Sequence, residues 1–256
     1  MQNPYRTQQR FIVATTVLGI GLTGVLTLSG CSLLQNLPLP WQAKQTSPTG
    51  SGTETGSATN SAAPGAMDAK TMKSHMDAGN AKAKSGQWQA ALNEFQQVLA
   101  ADPRNAQAHV QSGWVLAELQ QWEEAKNHLV SAVALSPDNA NAHANLAWVY
   151  AEQKHWNEAE EEAKRAIDLD PKNAYPHATL AWAYQSNGQD SLAIDEYEKS
   201  LELNPKLEQS SLAVGILYCN QGQKPRADEQ LNTLIKLGSP KAGELQARIK
   251  KGCAAK

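Results

Sequence analysis

The sequence has no basic surplus. Its 23 Lys and Arg stand against 25 Asp and Glu, for a net charge of −2. A nucleic-acid binder usually carries a basic patch or stripe, so that class is set aside. Cysteine is scarce: Cys31, Cys219 and Cys253 are all there are, with no Cys-x-x-Cys spacing for a structural metal. Residues 1–30 contain no acid, only Arg6 and Arg10. Residues 42–66 contain no Leu, Ile, Val, Phe or Tyr. A segment with so little apolar surface cannot offset the entropy of ordering, so a packed domain there is excluded.

What residues 1–30 do contain is a basic start and the uncharged run FIVATTVLGIGLTGVLTLSG. That is an export-signal pattern. It ends in Leu28-Ser29-Gly30-Cys31, which resembles the bacterial lipobox. The resemblance implies cleavage between Gly30 and Cys31, followed by lipid attachment at Cys31. The other reading is an uncleaved anchor, since the run is about long enough to span a bilayer. Ser32 replaces the aspartate that retains enterobacterial lipoproteins in the inner membrane, which points to the outer membrane. Gly19, Gly21 and Gly24 match the dinucleotide GxGxxG by accident. The next acid is Glu54, and the segment belongs to the leader.

Residues 31–66 then read as a Ser/Thr/Gly-rich tether, with a typical coil span of about 35 Å. The domain plan is a signal peptide 1–30, a lipidated cysteine and linker 31–66, repeats over 67–239, and a capping helix and tail 240–256.

The repeat is read from fixed phases. Pro103, Pro137, Pro171 and Pro205 are 34 apart, as are Ala91, Ala125, Ala159, Ala193 and Ala227. Gly79, Gly113, Ala147, Ala181 and Gly215 keep a small residue at one phase, with Leu116, Tyr150, Tyr184 and Tyr218 three places on. This pattern resembles the tetratricopeptide repeat (TPR) in five units, 72–105, 106–139, 140–173, 174–207 and 208–241. The expected fold is all-α: a superhelix of helix–turn–helix units with a C-terminal capping helix, after a disordered tether. The prolines place each second-helix end near Asp102, Ser136, Asp170 or Asn204. Asn105, Asn139 and Asn173 are the N-caps expected next. Leu207 breaks that series. Lys82 stands where the other repeats place Leu or Tyr.

Trp114, Trp148 and Trp182 share one phase, roughly 150° from the packing face of their helix at about 100° per residue. Their neighbours are Gln107, Gln111 and Glu118, then Asn141, Asn145 and Glu152. In the TPR family this side lines the concave, peptide-holding groove. The resemblance therefore nominates Trp114, Trp148, Trp182, Tyr175, Glu118 and Glu152 as groove residues. The competing reading is that each tryptophan packs on the neighbouring repeat. Trp88, Trp122 and Trp156 open the second helices, where the family keeps a packing aromatic.

His75, His109, His143 and His177 also recur at 34. Equivalent positions on helices packed about 8–10 Å apart rarely share one ion, so no metal is assigned. Cys219 and Cys253 are a possible disulfide in an oxidising compartment. Equal repeat phase argues against closure, unless Gly252 bends the tail across. The carboxylate-clamp variant of the family is not matched: Met76 stands at its lysine position, four residues before Asn80.

No nucleophile–base pairing is recognisable, and Glu160–Glu162 read as a solvated helix face. The expected protein is not an enzyme and uses no cofactor. It is a lipid-anchored scaffold or assembly adaptor at the periplasmic face of the bacterial envelope, holding a protein partner rather than a small-molecule substrate. A small-ligand-binding or enzymatic lipoprotein and a self-associating structural lipoprotein are the alternatives.

Overall fold

The computed structural model describes residues 67–253. The leader 1–30, Cys31 and the 31–66 tether lie outside the described residues. Eleven α-helices and no strand occur among those described. They form five helical hairpins: α1 (Ala69–Lys84) with α2 (Trp88–Ala101), α3 (Ala106–Glu118) with α4 (Trp122–Leu135), α5 (Ala140–Glu152) with α6 (Trp156–Leu169), α7 (Ala174–Ser186) with α8 (Asp190–Leu203), and α9 (Glu208–Asn220) with α10 (Lys224–Lys236). A final helix, α11 (Lys241–Lys250), closes the series. Each second helix also packs on the next first helix, and α3, α5 and α7 touch in succession. The core is thus a continuous row of neighbour contacts, as a solenoid requires.

The loops explain the period. Four of the second helices stop at Ala101, Leu135, Leu169 and Leu203, one residue before the position that precedes each proline. Asp102, Asp170 and Asn204 then fold their side chains onto the N–H groups of Arg104, Lys172 and Lys206, at 3.1, 3.2 and 3.2 Å. Such Asx turns offer the chain an alternative to continuing the helix. The next helix is opened by an asparagine: Asn105 Oδ1 accepts from Ala108 N–H at 3.0 Å, Asn139 from Ala142 at 3.1 Å, and Asn173 from Tyr175 at 3.1 Å. Leu207 supplies no such bond to α9.

Inside the hairpins, the recurrent alanines 91, 125, 159, 193 and 227 are all 0% exposed. At Gly113 an added Cβ would stand 2.5 Å from Leu129 Cγ, so two helices touch through the missing side chain. A second phase was not anticipated. Gly86, Gln120, Lys154, Gly188 and Gly222, one per hairpin turn, all have positive φ between 61° and 75°. Glycine occupies that region freely, while Gln120 and Lys154 occupy it at a steric cost.

The ends differ from the middle. In the first hairpin, Lys82 Nζ donates to Glu94, which also meets His75, so a polar cluster stands where the later repeats place Leu116, Tyr150, Tyr184 and Tyr218. Lys82, then His75, holds the Glu94 carboxyl below the usual carboxylate range. At the other end, Leu245 and Ile249 of α11 are buried and Leu245 packs against Gly215. A disulfide joins Cys219 to Cys253, with the Cα atoms 4.4 Å apart. The equal-phase argument against closure fails because Cys253 is not in a repeat helix. It follows the C-terminus of α11, and Gly252, with φ of 101°, turns the chain toward α9.

Candidate peptide-binding face

On each first helix, one stripe recurs at i, i+4, i+7 and i+11, positions that fall within about 60° of one another on a helix. In α3 it is Gln107, Gln111, Trp114 and Glu118; in α5, Asn141, Asn145, Trp148 and Glu152; in α7, Tyr175, Thr179, Trp182 and Ser186. The tryptophans do not present their rings as an open surface. Trp148 is only 4% exposed, and Trp114 and Trp182 are half-buried.

Each ring closes on the tryptophan that opens the second helix of the preceding hairpin. Trp88–Trp114, Trp122–Trp148 and Trp156–Trp182 have centroids 5.6, 5.9 and 5.4 Å apart and meet edge-to-face. That arrangement sets the positive ring edge on the negative face. The wheel angle of roughly 150° was measured from one hairpin's own packing face. It omitted the flank covered by the neighbouring hairpin. Trp148 thus packs in the joint between repeats, the second of the two readings open in the sequence. The signal was present in the sequence as a Trp–Trp spacing of 26 that occurs three times, 88/114, 122/148 and 156/182.

The polar members of the stripe surround these joints. Glu152 accepts from Trp148 Nε1 at 3.2 Å, so this carboxylate orients the indole. Glu118 holds the equivalent place and is half-buried. Tyr175 is half-buried at the start of α7, and burial pushes its phenol above the ordinary value. Gln107, Gln111 and Asn145 make no side-chain hydrogen bond among the described residues, and Asn141 bonds only through its backbone N–H. Gln107 and Asn141 are exposed; Gln111 and Asn145 are half-buried. Four amides, each with two donors and an acceptor, therefore lie on two successive first helices with their bonding capacity directed to solvent.

The recurring histidines are placed by a partner that sequence reading overlooked. Each lies 19 residues before a residue of the second helix in its own hairpin. His75 Nδ1 meets Glu94 at 2.6 Å, His143 meets Glu162 at 2.6 Å and His177 meets Glu196 at 2.7 Å. In the second hairpin His109 Nδ1 meets His128 Nδ1 instead, at 3.0 Å. These pairs clasp first helix to second. Among the described residues no group of three His, Cys, Asp or Glu is placed to hold a metal ion.

Comparison with known proteins agrees with this architecture. Tetratricopeptide-repeat family models match residues 82–131 and 116–183, and a further one matches 175–207. No curated protein sequence matches the chain. Among solved structures, the Pseudomonas aeruginosa protein pilF is 21% identical with a TM-score of 0.64, covering 71% of this chain and 84% of its own. A crystal structure of MamA is 24% identical with a TM-score of 0.53, covering 68% and 96%. YrrB, described as a TPR protein with an unusual peptide-binding site, is 19% identical with a TM-score of 0.54, covering 69% and 90%. At these identities the neighbours speak to the fold. Together with the 34-residue phases and the hairpin stack, the family matches running without a break over 82–207 establish that the chain belongs to the tetratricopeptide repeat family.

Proposed function

We propose that the chain is an interaction module tethered to the membrane, which holds an extended protein segment along its first helices. The observation that carries this reading is the set of unbonded amides Gln107, Gln111, Asn141 and Asn145 on α3 and α5. An extended peptide backbone offers alternating donors and acceptors, which amide side chains match in either sense. Glu118 and Glu152 give the same face a negative character and favour a basic or neutral segment. The edge-to-face tryptophan pairs pack successive repeats together and so set the spacing of the amides. The similarity to YrrB, whose description names a peptide-binding site, is consistent with such a use of the fold.

The tether is part of the reading. Cleavage after Gly30 and lipidation of Cys31 would place the repeats at the periplasmic face of the envelope, on the outer membrane, with about 35 Å of linker to search. Metabolic labelling with a fatty acid tests it: the chain takes up label, and Cys31→Ser does not. For the face, the full-length chain is used as bait in a detergent extract of the source envelope, beside Gln107→Ala/Gln111→Ala/Asn141→Ala/Asn145→Ala. A partner lost from this variant, with its helicity intact, supports the proposal. An identical set of partners from both refutes it.

A further inference from the structure

The second hairpin departs from its neighbours at one point. In the first, third and fourth hairpins the histidine Nδ1 faces a carboxylate, so that nitrogen is engaged with an acceptor. In the second, two imidazoles converge, His109 from α3 and His128 from α4, with Nδ1 atoms 3.0 Å apart, ring centroids 5.1 Å apart and planes inclined by 45°. Without an ion, the two neutral rings share one Nδ1–H···Nδ1 hydrogen bond, one donating and the other accepting. An ion that accepts both lone pairs uses the geometry fully. We propose that His109 and His128 form a two-histidine binding site for a divalent transition-metal ion of the copper or nickel type.

The tautomers favour it. His109 Nε2 lies 3.1 Å from the carbonyl oxygen of Pro103, to which it donates. That bond places the proton on Nε2 and leaves the Nδ1 lone pair pointing at His128. Metal-ligating histidines are commonly fixed by donation from the other ring nitrogen to a backbone carbonyl. His128 Nε2 makes no hydrogen bond among the described residues and is free to carry its proton toward solvent.

The spacing favours one class of ion. With metal–nitrogen bonds of about 2.0–2.1 Å, a separation of 3.0 Å subtends an angle of about 94° at the metal. That suits two cis positions of a tetragonal or octahedral ion. A tetrahedral zinc ion wants the nitrogens about 3.3 Å apart. Copper(II) also heads the divalent affinity order for nitrogen ligands. The remaining positions are open to water, because no third ligand of the described residues stands close enough. The objection to a shared ion between equivalent histidines of successive repeats does not apply, since both ligands lie within one hairpin.

The test uses the untagged full-length chain in detergent, titrated with copper(II) and followed by calorimetry and electron paramagnetic resonance. The expected result is a single site with a tetragonal spectrum showing two imidazole nitrogens. His128→Glu restores the histidine–carboxylate pair of the other hairpins, so it keeps the fold; its copper affinity falls by about tenfold or more, at least the loss seen when an outer partner of a ligand is removed. His109→Gln lowers it equally. Glu162→His builds the pair in the third hairpin and adds a second equivalent site. Copper binding by His128→Glu as tight as wild type, or a wild-type spectrum without two coupled nitrogens, overturns the proposal.

Discussion

The C-terminal cap is held to the stack by α11 and by one covalent bond, and removing that bond has a calculable effect. The disulfide links Cys219 in α9 to Cys253 across 34 residues of chain that include all of α10 and α11. Closing a loop of that length restricts the unfolded chain by about 12–13 cal/mol/K in the loop-entropy model, which is about 3.8 kcal/mol at 25 °C. The non-covalent hold of the cap is modest, with Leu245 and Ile249 as its buried apolar side chains. Reduction, or Cys253→Ala, should therefore loosen α11 first. If the stack unfolds as one unit, its midpoint falls by roughly 8–15 °C. If the last hairpin uncouples, as solenoids permit, the loss appears as a separate early transition. Circular dichroism melting with and without reductant measures the midpoint, and amide exchange over 241–250 locates the change. Exchange in α11 and a melting curve both unmoved by reduction would show that the bond constrains nothing, and the reasoning would fail.

Other outcomes follow from single sites. Trp148→Ala should destabilise by about 3–5 kcal/mol, the usual cost of truncating a buried tryptophan, and early melting with no loss of partner binding to the surviving folded fraction would separate packing from recognition. Lys154→Gly should stabilise by up to about 1 kcal/mol, read in a denaturant midpoint, because φ of 63° at that turn is strained for lysine and free for glycine. Stability should fall as pH drops below the ordinary histidine value of 6.5, because folded His128 binds its proton less readily than unfolded His128 does. The effect is absent above that value, and His128→Glu should remove this part of the slope while leaving the acid loss from Glu94 at lower pH.

Much of the fold could be read in one dimension because each repeat repeats its own chemistry. The prolines, the capping asparagines and the contact alanines act through neighbours a few residues away or through one partner helix. Their roles survive being read without coordinates. The tryptophans were legible only as two open alternatives, groove or joint, since their environment is set by the preceding hairpin. A helical wheel drawn for α5 alone places Trp148 on the polar side, and only the position of Trp122 shows that side to be covered. The histidines were half-legible. Their period was plain, but their meaning lay in a second period 19 residues on, through Glu94, His128, Glu162 and Glu196. The amides of the face were visible throughout, yet nothing in the sequence distinguished them from ordinary solvated side chains. Their lack of internal partners is a fact of three dimensions. The Cys219–Cys253 pairing likewise needed the path of the tail after Gly252.

The claim that recognition occurs on the first-helix face is tested most directly by site-specific photo-crosslinking in the intact envelope. The probe is placed at Gln111 or Asn145 on that face, and at exposed Val130 on second helix α4 as the comparison. The account predicts a discrete adduct with another protein from positions 111 and 145 and none from 130. Adducts from 130 with none from 111 or 145 would contradict it and move the binding surface to the second helices.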